Sequence, residues 1–219
     1  MYTRFAIYVV PDGAWGDFGA AWLGWDNRSA QSVAQMDEFQ ASITQRPRKY
    51  GFHGTIKAPF HLAENKHATA LASDLVQLCC DFRPFALDSL TLEQMGAFFA
   101  LTAPKEHTSL QAVADRCVKD LDGYRAPPNQ DELTRRRKAT LTPRQEALLQ
   151  KWGYPYVLDQ FRFHLTLTGP AQDKETARAK IECAQAPLQN TQLWIDSLCL
   201  LGQRQDGTFE VITRAPFGG

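Results

Sequence analysis

Two short segments of this 219-residue chain answer each other: Phe52-His53-Gly54-Thr55-Ile56 and Phe163-His164-Leu165-Thr166-Leu167. Each reads apolar, His, any residue, Thr, apolar. An extended strand sends successive side chains to opposite faces, so the His and Thr of each segment share one face. Brought together, the two pairs would surround one small space with two imidazoles and two hydroxyls. Those groups suit in-line displacement at phosphorus without a metal. One imidazole takes a proton from the attacking oxygen while the other gives one to the leaving oxygen. The hydroxyls of Thr55 and Thr166 would hold the non-bridging oxygens. Histidine fits both roles because its unperturbed pKa, about 6.5, lets either form exist near neutrality. Which of His53 and His164 is base and which is acid stays open at this point.

Reading the flanks extends the pattern. Phe161, Phe163, Leu165 and Leu167 form one face of the second segment, and Arg162, His164, Thr166 and Thr168 form the other. In the first, Phe52 and Ile56 lie opposite His53, Thr55 and Lys57. Strand parity therefore assigns Lys57, Arg162 and Thr168 to the reactive faces as candidate substrate contacts. Near the start, Phe5, Ile7 and Val9 alternate toward a core. Arg4 and Tyr8 share the opposite face and are placed at the groove as further substrate-binding candidates.

These residues resemble the two-histidine phosphoesterase superfamily, whose signature is a pair of His-x-Thr strands, one in each of two similar lobes. Within it the chain is similar to the phosphonate-metabolism protein family. The segments that carry this are Tyr2 to Val10 (YTRFAIYVV), Trp22 to Asp26 (WLGWD), Arg48 to Phe60 (RKYGFHGTIKAPF), Arg125 to Pro128 (RAPP) and Trp152 to Gly169 (WGYPYVLDQFRFHLTLTG). The last is the most specific, and the resemblance spans nearly the whole chain. It implies an α+β fold of two pseudo-symmetric lobes of antiparallel sheet, facing across a central cleft with helices on the outer faces. It also implies a metal-independent phosphodiesterase acting in phosphonate metabolism on a small phosphate- or phosphonate-containing substrate. The superfamily's catalytic histidines correspond to His53 and His164, and its phosphate-contacting threonines to Thr55 and Thr166.

Composition is compatible with that reading. The chain is long enough, at 44% hydrophobic residues, to bury a full core as one bilobal domain over 1–219. Basic and acidic residues balance at 24 each, so no global field draws polyanions. A small anionic ligand held by local cations fits better than extended nucleic acid. The five cysteines are odd in number and lack CxxC spacing, and are read as reduced thiols of a cytoplasmic protein. The apolar run near the start is too short for a signal peptide or membrane span. Acid and base are both side chains, so neither metal nor cofactor is expected. A zinc site from His53, His61 and His164 lacks a compact ligand pair.

Periodicity sets the positioning elements. A strand is predicted over 4–10, a loop over 13–28 that is rich in Gly, Trp and Asp, and a helix from Ser29 to Ile43. The His53 strand follows Pro47 and stops near Pro59. A helix covers 64–80 through Leu71, Leu75 and Leu78. Strands at 85–92 and 97–101 turn around Gly96, and a helix runs from Leu110 to Leu121. A helical insert occupies about 125–152: a Pro-stiffened connector, a helix over 131–139, and a second from a Thr142 cap to Trp152, ended by Gly153. After the His164 strand come a helix over 172–185 and two strands around Asp206-Gly207. In the insert, Arg135 to Lys138 form either a solvated helix face or an arm reaching a phosphate or phosphonate oxygen. Tyr154 and Tyr156 either line the groove or pack at its rim.

The activity these observations favour is hydrolysis of a small, cyclic phosphodiester. The alternatives are a non-catalytic protein binding a phosphonate or cyclic phosphate, and an RNA-end cyclic phosphodiesterase or ligase. The balanced charge disfavours the RNA-directed one.

Overall fold

The computed structural model describes residues 2–87, 89–104 and 106–218. The chain opens with strand β1 (Phe5–Val9), helix α1 (Gly13–Leu23), the short strands β2 (Trp25–Asp26) and β3 (Gln31–Ser32), and helix α2 (Glu38–Arg48). Strand β4 (Gly54–Phe60), helix α3 (Ala68–Cys79), strands β5 (Phe85–Leu87), β6 (Thr91–Met95) and β7 (Phe98–Thr102), and helix α4 (Thr108–Asp120) follow. The insert supplies α5 (Gln130–Arg137) and α6 (Pro143–Trp152). Strand β8 (His164–Thr166), helix α7 (Lys174–Gln185) and strands β9 (Leu193–Ile195), β10 (Ser197–Gln203) and β11 (Phe209–Pro216) complete it.

The α+β class matches the sequence reading. The strands of the two expected lobes, however, are hydrogen-bonded among the described residues into one seven-stranded sheet, β11-β10-β1-β4-β8-β7-β6. β4 and β8 meet at its centre, antiparallel, through the register pair Gly54↔Leu165. Pairing these two strands leaves neither with an open edge of unsatisfied backbone groups. β5 pairs instead with β9, outside this sheet, and Asp88, within the strand expected over 85–92, lies outside the described residues.

One face of the sheet carries the main core. Phe5, Ile7 and Val9 of β1, Ile56 and Phe60 of β4, and Leu165 of β8 pack with Trp22, Ile43, Leu71, Leu75, Val113 and Ile181 from five helices. The opposite face holds a smaller cluster of Ala6, Tyr8, Val10, Cys199, Leu201 and Phe209. Period-two alternation along β1 divides these sets cleanly.

The segment expected to be a loop over 13–28 begins with helix α1. Its glycines disfavour a helix by propensity, but Gly19 lies against Phe52, and a Cβ there would overlap the ring. Close approach of helix and strand outweighs the local preference. The helix expected from Ser29 starts later, at Asp37, whose carboxylate accepts the amide of Gln40. The insert helix α6 has the expected Thr142 cap, with a reciprocal Gln145 contact, and ends at Gly153 with φ of 72°.

Candidate active site

Extending the Gly54↔Leu165 pair one step each way sets His53 beside Thr166 and Thr55 beside His164. Residues directly opposite on such a pair have Cβ atoms about 5 Å apart, and diagonal neighbours about 7 Å. The four side chains thus form one patch on the face away from the main core, with the two imidazoles on its diagonal. Between His53 and Thr55, Gly54 points the other way. A Cβ there would overlap the Phe163 ring, so the glycine lets the residue before His164 pack beneath the first motif.

Both histidines are anchored alike. His53 Nδ1 lies 2.9 Å from the Gly51 carbonyl, and His164 Nδ1 lies 2.9 Å from the Arg162 carbonyl. A carbonyl only accepts, so Nδ1 carries the hydrogen in both rings and the neutral form leaves its lone pair on Nε2. The Thr55 hydroxyl, 3.2 Å from His53 Nε2, donates to it.

The surroundings of the two rings differ. Tyr8, fully buried, stacks on His53 with centroids 3.8 Å apart and planes 23° from parallel. Burial pushes the His53 pKa down to about 4, against the Gly51 carbonyl, and proximity to His164 adds to the fall. His164 is also lowered, first by burial and then by the Arg162 charge, with the Arg162 carbonyl opposing. Its ring neighbour, Phe98, is 6.1 Å away. In both rings the shift favours the neutral imidazole over the charged one.

Of the substrate-binding candidates, Tyr8 lies against His53. Lys57 does not face the patch. It is buried, with Nζ donating to the Val118 carbonyl at 3.2 Å and to Asp122 at 3.3 Å. The reason is a register shift: Tyr8 pairs with Thr55 but Ile7 with Lys57, so β4 spends an extra residue there and strand parity reverses. Thr168 is also diverted, by hydrogen bonds to Phe99. The amides of Leu167 and Thr168 both bond the Phe99 carbonyl, and the buried Thr168 hydroxyl accepts the Phe99 amide at 2.9 Å. Arg162 is exposed and ion-paired with Glu93, beside His164 rather than between the imidazoles. Arg4 flanks the patch, with Nε donating to Gln203 at 2.7 Å and its guanidinium over the Phe209 ring.

Tyr50, passed over in the sequence reading, completes the surround together with Tyr154, which that reading placed either in the groove or at its rim. Tyr50 stacks on Phe209 at 5.2 Å and lies 5.9 Å from the His53 ring. Its position three before His53, in a run of polar residues, was the available signal. Tyr154 follows the insert, under the guanidinium of Arg136 at 4.6 Å from its ring centroid.

Residues 55–210 match a family model described as "Protein of unknown function (DUF1045)". The chain is 34% identical to a ribose 1,5-bisphosphate phosphokinase PhnN of Janthinobacterium sp. (strain Marseille), over 99% of this chain and 51% of that protein. It is 31% identical to a protein of the same name from Laribacter hongkongensis (strain HLHK9), over 75% of this chain and 40% of that protein. The chain thus spans about half the length, or less, of these curated relatives. Among the described residues no helix is long and apolar enough to cross a membrane.

Proposed function

Starting from a chain that belongs to the DUF1045 family, we propose that it is a metal-independent phosphodiesterase opening a small cyclic phosphodiester in phosphonate metabolism. The observation that carries this reading is the shared anchoring of His53 and His164. Each is held by Nδ1–H on a carbonyl two residues back, which turns Nε2 into the working atom of both rings.

Water attacks phosphorus in line, and the Nε2 lone pair of one imidazole takes its proton as the P–O bond forms. The bond to the leaving oxygen breaks at the opposite side, and the Nε2–H of the other imidazole, as imidazolium, protonates that alkoxide. The Thr55 and Thr166 hydroxyls donate to the non-bridging oxygens, with Thr55 exchanging its bond to His53 for one to phosphate. We assign His53 as base, since Tyr8 and burial favour its neutral form most strongly. His164 is the acid, its charge restored by the bound anion. A cyclic diester suits this arrangement because its leaving oxygen stays tethered between the rings.

The relatives' name concerns a phosphorylated ribose, which makes ribose cyclic phosphates the first compounds to try. Their phosphokinase activity is not carried over. This chain contains no Gly-x4-Gly-Lys-Ser/Thr run to cradle ATP phosphates, and it covers only about half of the first relative. The test is turnover of ribose and nucleoside cyclic phosphates with excess EDTA, followed by phosphorus NMR. Release of a phosphomonoester is expected. Tight binding with no turnover of any diester would replace the enzyme reading by that of a binding protein. Activity lost to EDTA and restored by one metal would overturn metal independence.

A further inference from the structure

The insert contributes one cation that its own surroundings leave unfinished. Arg135 lies 3.7 Å from Glu132 and is more than half exposed, and Arg137 is paired with Glu146 at 2.5 Å. Arg136 differs from both. Its Nε is buried and has no hydrogen-bond partner among the described residues. Glu132 approaches its Nη2 no closer than 3.8 Å, beyond hydrogen-bond reach. A buried polar atom without a partner is unfavourable, more so when charged, unless something supplies the missing bond.

Where this guanidinium sits identifies what that is. It lies over Tyr154, 4.6 Å from the ring centroid, a contact that holds the guanidinium in place. Tyr154 packs with Trp152 against Val118, Leu148 and Val157, so its support is anchored in the protein's interior. A cavity lined by Arg4, His61, Asn129, Glu132 and Arg135 opens beside the helix that carries Arg136, and the Arg4 guanidinium lies over Phe209, a neighbour of the Tyr8 ring that stacks on His53. The helix therefore borders the reactive face, and the influence of the Arg136 charge on the phenols of Tyr154 and Tyr8 agrees with that placement. The reacting phosphate already has the hydroxyls of Thr55 and Thr166.

We propose that Arg136 holds a second, non-reacting anionic group of the ligand, a terminal phosphate monoester, so that the substrate is a phosphorylated sugar carrying its cyclic diester at the other end. This rests on the phosphodiesterase reading for the name substrate, while the anion site itself stands apart from it. The planar fork offers Nε–H and Nη–H side by side to two oxygens of one phosphate, and a monoester dianion satisfies both. Tyr154 below and the Tyr8 ring beside would border the sugar. Glu132, 3.8 Å from Nη2, is the carboxylate beside the fork among the described residues, and it competes with the anion.

The probe is D-ribose 5-phosphate, which has the terminal phosphate and no diester, measured by calorimetry against inorganic phosphate and unphosphorylated ribose. The parent protein is expected to bind ribose 5-phosphate, inorganic phosphate more weakly, and ribose not at all. Arg136→Gln should weaken that binding roughly ten- to a hundredfold, the loss of a charge-assisted pair of hydrogen bonds. Arg136→Lys, which keeps the charge without the fork, should fall between, and provides the comparison if the glutamine variant does not fold. Glu132→Gln should tighten binding. His53→Ala should keep ribose 5-phosphate affinity while lowering diester turnover by roughly two to four orders of magnitude. Absence of binding by the parent, or equal affinity in the parent, Arg136→Gln and Arg136→Lys, overturns the proposal and leaves the phosphodiesterase reading untouched. Arg136-dependent binding with no diester hydrolysed does the reverse.

Discussion

The first and second His-x-Thr strands use the same anchoring and face the same patch, yet their histidines live in different media. His53 is covered by Tyr8 at 3.8 Å and sits near Tyr50, and both tyrosines pack on Phe209. His164 has Phe98 as a looser neighbour and stands beside the exposed Arg162–Glu93 pair. Identical sequence motifs therefore yield imidazoles of unequal basicity, because desolvation and nearby charge, not the residue type, set which form is favoured. Unequal basicity is what a proton donor and a proton acceptor require of two otherwise equivalent groups.

The strongest way to break this comparison is to remove each ring. His53→Ala and His164→Ala should each lower turnover by roughly two to four orders of magnitude. The parent pH–rate profile should be bell-shaped. His53→Ala should lose the acidic limb, which reports the base, and His164→Ala the alkaline limb, which reports the acid. Near-parental rates in both variants would make the paired motifs structural, and exchanged limbs would reverse the assignment of base and acid.

Next in size is the contact that joins the two motifs. Gly54→Val places a branched side chain where the Phe163 ring lies. Overpacking of this kind destabilises by about 1–3 kcal/mol. The melting temperature should drop by several degrees, and activity should fall even at temperatures where the protein stays folded. An unchanged melt and rate would show that Phe163 can move aside without disturbing His164.

The asymmetry itself can be adjusted at Tyr8. Tyr8→Leu removes the stacked ring and should raise the His53 pKa from about 4 toward its ordinary value. Tyr8→Phe should leave it low, and His164 should titrate as before in both, followed by NMR of the imidazole protons. The same shift has a stability consequence of fixed sign. The unfolded chain protonates His53 near 6.5 and the folded chain only near 4, so between those values the unfolded state binds more protons. The contribution of His53 to stability is complete above about pH 6.5 and is lost as the pH falls toward 4. Denaturant titrations of Tyr8→Leu should show a shallower loss across that window than those of Tyr8→Phe. Equal slopes would mean that the ring does not control the burial of His53.

The smallest effect is expected at the second motif's flank. Arg162→Gln removes a positive charge that lowers the His164 pKa, so that pKa should rise slightly while His53 is unmoved. Because the Arg162–Glu93 pair is partly exposed, stability should change by less than about 1 kcal/mol. A large loss of activity without any pKa change would instead give Arg162 a direct part in holding substrate.

The sequence by itself determined the two strands, the four side chains that share a face, and the alternation that buries Phe163, Leu165 and Ile56 on the other. Those features follow from a period of two and local apolar pattern, which need no knowledge of distant residues. The same alternation failed immediately beyond each motif. Lys57 and Thr168 have the parity of the reactive face, but a register shift after Thr55 turns Lys57 to Asp122, and past Thr166 the Thr168 hydroxyl is taken up by the Phe99 amide. A bulge is a compromise between two paired strands, so one strand's sequence does not announce it. Helix α1 escaped notice for a related reason, since its Gly19 is explained only by the Phe52 ring it accommodates. Tertiary structure alone decided that the His strands are neighbours in one sheet, that Tyr8 covers one histidine and not the other, and that Arg136, within a basic run, is the arginine whose buried Nε lacks a partner among the described residues. Each of these depends on contacts between segments far apart in the chain, where packing and desolvation outweigh local preference.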